Sequence, residues 1–143
     1  MTVHRIARTL IRPSHALGHA EIDSDHFAIA EYWLQLTCCE PIAIPFHIAR
    51  LRKRMRDHFS REAGLVEATG LRLSLSHHGE HDEMLWLCDE AYRLSDRDRR
   101  AARALLRTKL PRLMRSHIIC MDQIAVLMMT TAAKDRAVPY APR

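Results

Sequence analysis

The chain has 143 residues, of which 48% are apolar, and a formal net charge of +5. This length favours one domain with one sizeable core, and no continuous apolar run approaches the roughly 20 residues that a membrane-spanning helix needs. The excess charge comes largely from arginines interleaved with apolar residues at helical spacing, without the aromatic side chains on which nucleic-acid bases stack. We therefore expect neither a membrane nor a nucleic acid as partner.

Residue composition indicates an all-α protein from a reducing compartment. Helix-favouring residues dominate, and there are only 4 glycines. Cys38, Cys39, Cys88 and Cys120 follow neither the spacing of a zinc site nor that of a disulfide scaffold. We therefore expect free thiols and a cytoplasmic location.

Two predicted helices occupy the first half of the chain. The first runs from about Asp23 or Ser24, either of which could cap it, to Glu40. The second starts near Pro45–Phe46 and ends at Gly70, a typical residue just beyond a helix C-terminus. Their inward-facing positions are Ile22, His26, Ile29, Trp33 and Leu36 in the first helix, and Leu51, Met55, His58, Phe59, Glu62, Leu65 and Val66 in the second.

Two more helices are predicted in the second half. The third runs from about Ser74 to Leu94. Ser95 then opens the fourth, with Asp98 in a capping-box-like position, and this helix ends near Thr131. Pro111 is expected to kink or split it. The inward-facing positions are His77, His81, Met84, Leu85, Cys88 and Tyr92 in the third helix, and Leu106, Leu110, Leu113, Met114, His117, Ile118, Met121, Ala125 and Met128 in the fourth.

These four amphipathic helices, joined by short connections, predict an antiparallel up-down-up-down four-helix bundle. We expect an N-terminal arm over residues 1–20, the bundle over 21–131 and a C-terminal tail over 132–143.

Each inward-facing stripe contains polar residues that are costly to bury unless something satisfies them. Pairs four residues apart, such as His77 and His81, share a helix face because four residues turn a helix by about 400°. Asp122 follows His117 by five residues, about 500°, so we expect it to lie to the side and to reach sideways. The candidate metal ligands are His26, His58, Glu62, His77, His81, His117 and Asp122.

Five imidazoles and two carboxylates converging on a core would destabilise it strongly without a metal. Seven donors exceed the four of a structural zinc site and suit two ions bridged by carboxylates. The mixture of imidazole and carboxylate without thiolate favours iron or manganese. A histidine-rich site, with little anionic charge to stabilise high-valent iron, favours reversible dioxygen binding over oxidative cleavage.

The pattern resembles the hemerythrin family, specifically its bacterial single-domain type. The resemblance rests on EIDSDHF (21–27), DHFSREAGL (57–65), SHHGEHDEM (76–84) and RSHIICMD (115–122), and covers roughly residues 17–130. It implies a non-heme di-iron centre with dioxygen as ligand. One iron would be bound by His77, His81 and His117, and the other, with an open position, by His26 and His58. Glu62, Asp122 and a solvent-derived oxygen would bridge them.

The resemblance also implies a dry apolar pocket for dioxygen beside the iron ions. The residues expected to form it, each within one turn of a ligand, are Ile29, Phe59, Met114 and Ile118. The chain departs from the family pattern at Ala63, where a glutamate is frequent, at Leu113, where an aromatic is common, and at Ala125, where a tyrosine is often found. The turn Gly70-Leu71-Arg72 and Pro111 are further departures, and all of them bear on the shape of the pocket.

The remaining histidines, which we expect not to bind the metal, are His4, His15, His19, His47 and His78. The leading hypothesis is a dioxygen-binding protein for storage, delivery or sensing rather than an enzyme. One alternative is a peroxidase or nitric-oxide-handling enzyme with the same di-iron site, which the missing glutamate and tyrosine disfavour. Another is an iron- or redox-responsive signalling module, for which vicinal Cys38 and Cys39 could provide redox chemistry.

Overall fold

The computed structural model describes residues 10–137, and all regular secondary structure in this range is helical. The four long helices are α1 (Ala20–Cys38), α2 (Ile44–Glu67), α3 (Leu75–Ser95) and α4 (Arg99–Ala137). Short 3₁₀ turns, Pro13–His15 and Pro41–Ala43, precede α1 and α2. The all-α class and the four long helices are thus confirmed for this range, and they are consistent with a helical bundle. His4 and residues 138–143 lie outside the described residues.

The start of α1 differs from the prediction, because Asp23 does not cap the helix. Its carboxylate accepts hydrogen bonds from the backbone N–H groups of Leu17 and Gly18, at 2.8 and 2.9 Å. Gly18 has a φ of +79°, which glycine adopts without steric cost. The chain therefore turns at Gly18 and enters the helix at Ala20, while Asp23 fastens the preceding segment to the first turn.

The helix α3 begins next to Ser74, where its start was predicted, and the structure identifies Ser74 as its N-cap. The Ser74 hydroxyl accepts a hydrogen bond from the backbone N–H of His77 at 3.1 Å. Because His77 belongs to the first turn, this cap also fixes the backbone that carries a candidate ligand.

We expect Ser74→Ala to lower the free energy of unfolding by about 1 kcal/mol, the usual cost of losing an N-cap. Urea denaturation of the metal-free protein would measure this change. Ser76 is exposed in the same turn and provides the matched control, since Ser76→Ala should change stability by less than about 0.5 kcal/mol. Equal effects of the two substitutions would contradict the capping role.

The start of α4 is corrected in the structure. Asp98, not Ser95, is the N-cap, and its carboxylate accepts from the backbone N–H of Ala101 at 2.9 Å. Ser95 remains the last residue of α3, where its hydroxyl donates to the backbone carbonyl of Tyr92. Pro111 does not split the helix, which continues in α-helical form from Arg99 to His117.

The C-terminal end of α4 extends beyond the expected end at Thr131. The helix continues to Ala137 and is anchored by Arg136. The Arg136 guanidinium donates to the backbone carbonyls of Ala68 and Thr69, at 3.3 and 2.6 Å. These bonds satisfy carbonyl groups in the turn that follows α2, so the two chain segments stabilise each other.

The apolar interior forms two clusters of buried residues. The larger one is built from all four helices together with Leu10 and Ile11, which precede α1. The smaller one consists of Ile22, Val66, Ala125, Val126 and Met129. The seven candidate ligands are also buried.

Most predicted inward-facing residues are buried, and the exceptions include one, Met128, that has a structural cause. Tyr92 is 46% exposed, and Leu87 and Ala91 are buried on α3 instead. Beyond His117, α4 contains a π-helical turn, Ile118–Asp122, which holds one residue more than an α-helical turn. The inward face therefore shifts by one residue, so that Met129 rather than Met128 is buried. Leu65, Leu85, Leu113 and Met121 are half-buried.

By length and composition alone, α4 is apolar enough to cross a membrane, over a window of which 33% is buried. Our sequence criterion, a continuous apolar run, did not detect this window. Its apolar character comes from exposed Ile119, Ile124 and Leu127 as well as from buried residues. The same helix carries His117 and Asp122, both fully buried among polar partners in the bundle.

Candidate metal centre

All seven predicted ligands lie together inside the bundle, and each helix contributes at least one of them. They form two donor groups, in each of which the ligand atoms lie within 4.8 Å of one another. The first group consists of Glu62, His77, His81, His117 and Asp122, and the second of His26, His58 and Asp122. Each group has the size and composition to bind one metal ion.

The first donor group is held by α2, α3 and α4. The Nε2 atoms of His77 and His81 each lie 3.2 Å from Oε2 of Glu62. Oδ1 of Asp122 lies 2.8 Å from Nε2 of His117 and 3.2 Å from Nε2 of His77. Nitrogen and oxygen donors therefore surround one common point.

The second donor group lies beside the first and shares Asp122 with it. Nε2 of His26 lies 2.9 Å from Oδ2 of Asp122, and the rings of His26 and His58 meet edge to face with centroids 4.8 Å apart. One oxygen of Asp122 thus faces the first group and the other faces the second. This is the arrangement that a carboxylate bridging two ions requires.

The position of Asp122 corrects our expectation of a sideways reach. In the π-helical turn, the backbone N–H of Gln123 donates to the carbonyl of Ile118, five residues earlier. Residues five apart therefore lie on the same face, and Asp122 is aligned with His117. Such turns are frequent at functional sites because they reorient a side chain without ending the helix.

Several of these polar atoms lack the partners that burial demands. Nε2 of His58 and Oε1 of Glu62 are buried without a hydrogen-bond partner among residues 10–137. The contact between His26 and Asp122 is short but lacks hydrogen-bond geometry. Nε2 of His81 and Nε2 of His117 lie 2.9 Å apart, so only one of them can carry a proton between them. Metal ions would satisfy these lone pairs, so the donor set fits a pair of cations.

In the metal-free site, the contacts between histidines and carboxylates favour a protonated His77 and an ionised Asp122. Burial alone would lower the pKa of His77, but its hydrogen bonds to Asp122 and Glu62 outweigh burial and raise it to about 9. Burial likewise opposes ionisation of Asp122, yet the contacts with His117, His26 and His77 hold its pKa well below its usual range. Burial prevails at His81, whose pKa is lowered despite its hydrogen bond to Glu62.

Two carboxylates next to the ligands were missed in the sequence. Asp25 is buried and faces Nδ1 of His58 at 3.3 Å, and Glu80 faces Nδ1 of His117 at 2.7 Å. Each directly precedes another ligand, in the dipeptides Asp25-His26 and Glu80-His81. That adjacency was the available signal, but it does not reveal contact with a different helix.

The apolar residues predicted to form a dioxygen pocket all belong to the larger core cluster. Phe59 stacks on the ring of His81, with centroids 3.8 Å apart and planes 10° from parallel. Ile29, Met114 and Ile118 are fully buried. Their role as a pocket stays a prediction.

The other histidines of the described chain segment, His15, His19, His47 and His78, belong to neither donor group. His78 is exposed, as expected for a residue that points away from its neighbour His77. Of the departures noted in the sequence, Ala125 lies in the smaller apolar cluster, and Ala63 is half-buried.

Comparison of the chain with protein-family models, with curated proteins and with solved structures found no match. The resemblance to hemerythrins therefore rests on the seven ligand positions and on their order along four helices.

Proposed function

We propose that this protein is a non-heme di-iron protein that binds dioxygen reversibly, for storage, delivery or sensing. The observation that supports it most strongly is the pair of buried donor groups joined by Asp122. Five imidazoles and two carboxylates match the ligand preference of iron, and apolar Phe59 stacks on the ring of the ligand His81.

In this proposal, His77, His81 and His117 bind one iron, and His26 and His58 bind the other. Glu62 and Asp122 serve both ions. The two iron ions would supply the electrons that dioxygen binding requires. The contribution of the chain is to hold the ligands rigidly, and to exclude water with Phe59 and the buried aliphatic residues near it.

The proposal includes an antiparallel up-down-up-down scaffold with an N-terminal arm. Its support is the order of contacts between helices. Trp33 donates to the backbone carbonyl of Leu106, whereas His26, earlier in α1, contacts Asp122, later in α4. The same opposite order relates α2 to α3. Leu10, which precedes α1, is buried in the larger cluster.

The test is the optical spectrum of anaerobically prepared ferrous protein on exposure to air. We expect two irons per chain and a visible band that appears with oxygen and disappears when oxygen is removed. Irreversible conversion to a ferric spectrum on first exposure would contradict reversible binding. An absence of bound iron after reconstitution would contradict the metal site itself.

A di-iron peroxidase is the second candidate, and one contact favours it. Glu80 is partly exposed and hydrogen-bonded to buried His117, so a polar path connects solvent with the ligands. Peroxide turnover well above that of iron in buffer, together with irreversible oxidation by air, would support this alternative over dioxygen carriage.

The signalling alternative gains little support from the vicinal cysteines. Cys38, Cys39, Cys88 and Cys120 are all free. Burial raises the pKa of Cys39, which disfavours the reactive thiolate form. Free thiols support our proposal of a cytoplasmic protein, and we propose dioxygen as its partner, with neither nucleic acid nor membrane.

A further inference from the structure

The two carboxylates missed in the sequence occupy equivalent places in the bundle. Asp25 of α1 contacts a histidine of α2, and Glu80 of α3 contacts a histidine of α4. In both cases the carboxylate immediately precedes a ligand of its own helix. Such a contact, from an acidic residue that precedes a ligand to a histidine of the next helix, thus occurs once in each helix pair.

Asp25 is as deeply buried as the candidate ligands, and two arginines bind its carboxylate. It is 2% exposed, and its oxygens lie 2.7 Å from the Arg54 guanidinium and 2.6 Å from that of Arg61. Its second oxygen, Oδ2, lies 3.3 Å from Nδ1 of His58. The two arginines compensate the buried charge and fix the carboxylate in the position from which it contacts the imidazole.

Glu80 makes the corresponding contact with His117, but its carboxylate is partly exposed to solvent. Its Oε2 lies 2.7 Å from Nδ1 of His117, and its side chain is 36% exposed. No arginine is needed to compensate its charge because water reaches the carboxylate. The opposite ring nitrogen of His117, Nε2, lies among the first donor group.

We propose that Asp25 and Glu80 are positioning residues, each of which orients the histidine of the next helix for one metal ion only. A carboxylate that accepts a hydrogen bond from the Nδ1–H group fixes the imidazole in the tautomer whose lone pair is on Nε2. Nε2 of His58 is buried without a hydrogen-bond partner among the described residues, and His58 belongs to the second donor group. Asp25 therefore serves the ion bound by His26 and His58, and Glu80 serves the ion of the first group.

This inference rests on the metal site of the proposed function but not on dioxygen. Its test is titration of the metal-free protein with Co²⁺, followed by visible absorption, which reports each bound ion. We expect two Co²⁺ per chain in the unaltered protein. Asp25→Ala should weaken one binding step by 10- to 100-fold, the usual effect of removing such a partner, and Glu80→Ala should weaken the other step.

Conservative variants separate positioning from charge. Asp25→Asn and Glu80→Gln keep an oxygen that can accept a hydrogen bond from the Nδ1–H group. We therefore expect them to retain most of the Co²⁺ affinity that the alanine variants lose. Asp89→Asn is the matched control, since Asp89 makes a bidentate ion pair with Arg52 between α2 and α3 without contacting a histidine. It should leave both binding steps unchanged.

A double-mutant cycle distinguishes positioning from general destabilisation. In a His58→Ala background, Asp25→Ala should no longer affect the remaining Co²⁺ step, whereas Glu80→Ala should still weaken it. Equal loss with and without His58, or equal loss of both steps in either single variant, would overturn the inference. An unaltered protein that binds no Co²⁺ would overturn it together with the metal site, while Co²⁺ binding without reversible oxygenation would overturn only the dioxygen function.

Discussion

Replacing Asp122 by alanine is expected to abolish binding of both metal ions. Asp122 is the one residue common to the two donor groups, and each of its oxygens faces a different group. Removing it takes away a ligand from each ion and the negative charge that offsets both cations. Because loss of a mere partner of a ligand costs 10- to 100-fold in affinity, we expect a loss of more than about 100-fold at both positions.

Iron content after anaerobic reconstitution and desalting measures this effect directly. We expect two irons per chain in the unaltered protein and fewer than about 0.2 in Asp122→Ala, given that affinity loss. Asp82→Ala is the control, since Asp82 is exposed on α3 next to His81. His58→Ala should give an intermediate result, one iron per chain, because His58 belongs only to the second group. Retention of two irons by Asp122→Ala would refute the bridging assignment.

The fold was predictable from the sequence because the helices are strongly amphipathic. The spacing of apolar residues determines which face of each helix is buried, independently of its neighbours. Helix ends were predicted less well, since several polar residues compete for the same role. The helix α3 begins next to Ser74 as expected, whereas Asp23 binds the backbone of the preceding turn, and Asp98 replaces Ser95 at the start of α4.

Six of the seven candidate ligands were predictable for the same reason, because each lies on an inward-facing stripe, whereas Asp122 was expected beside its stripe. A polar residue on an apolar stripe can be recognised from the sequence of its own helix alone. Contacts between helices depend on the relative axial position of the packed helices, and the spacing of residues within one helix does not determine that position. Asp25 and Glu80 were missed on that account, since each acts on a histidine of another helix. The π-helical turn at Asp122 was missed because the five-residue spacing from His117 was interpreted as a sideways reach in a regular α-helix.

The metal-free protein is expected to lose stability between about pH 6.5 and pH 9, while the metal-loaded protein is not. The pKa of His77 is about 9 in the folded chain, against an ordinary value of 6.5, so folding favours its protonated form. The stability that it contributes is fully present below pH 6.5 and is lost as the pH rises through 9. The pKa of His117, which burial lowers but Asp122 and Glu80 raise further, is also above its usual value and acts in the same direction.

In acidic solution, the stability of the metal-free protein changes with pH in the opposite direction and rises as the pH rises. Burial opposes ionisation of Glu62 and Asp122, but contacts with histidines outweigh it and lower both pKa values. Their contribution is present above the ordinary pKa values of 3.8 for Asp and 4.5 for Glu, and is lost in more acidic solution. The metal-free protein should therefore be most stable between about pH 4.5 and 6.5.

Metal reverses the trend on the alkaline side, because a histidine must be neutral to bind an ion. We expect the free energy of unfolding of the metal-free protein to fall by about 2 kcal/mol from pH 6.5 to 9, since folding favours protonated His77 over this interval, whereas the lowered pKa of His81 acts mainly below pH 6.5. With saturating Fe²⁺ under anaerobic conditions, stability should stay level or rise over the same interval. Urea denaturation at several pH values, with and without Fe²⁺, measures both curves. In His77→Gln the slope of the metal-free protein should decrease, because the group responsible for most of it is gone. A metal-free protein whose stability rises steadily to pH 9 would show that His77 is neutral in the folded chain, and that its contacts with Glu62 and Asp122 do not stabilise the imidazolium.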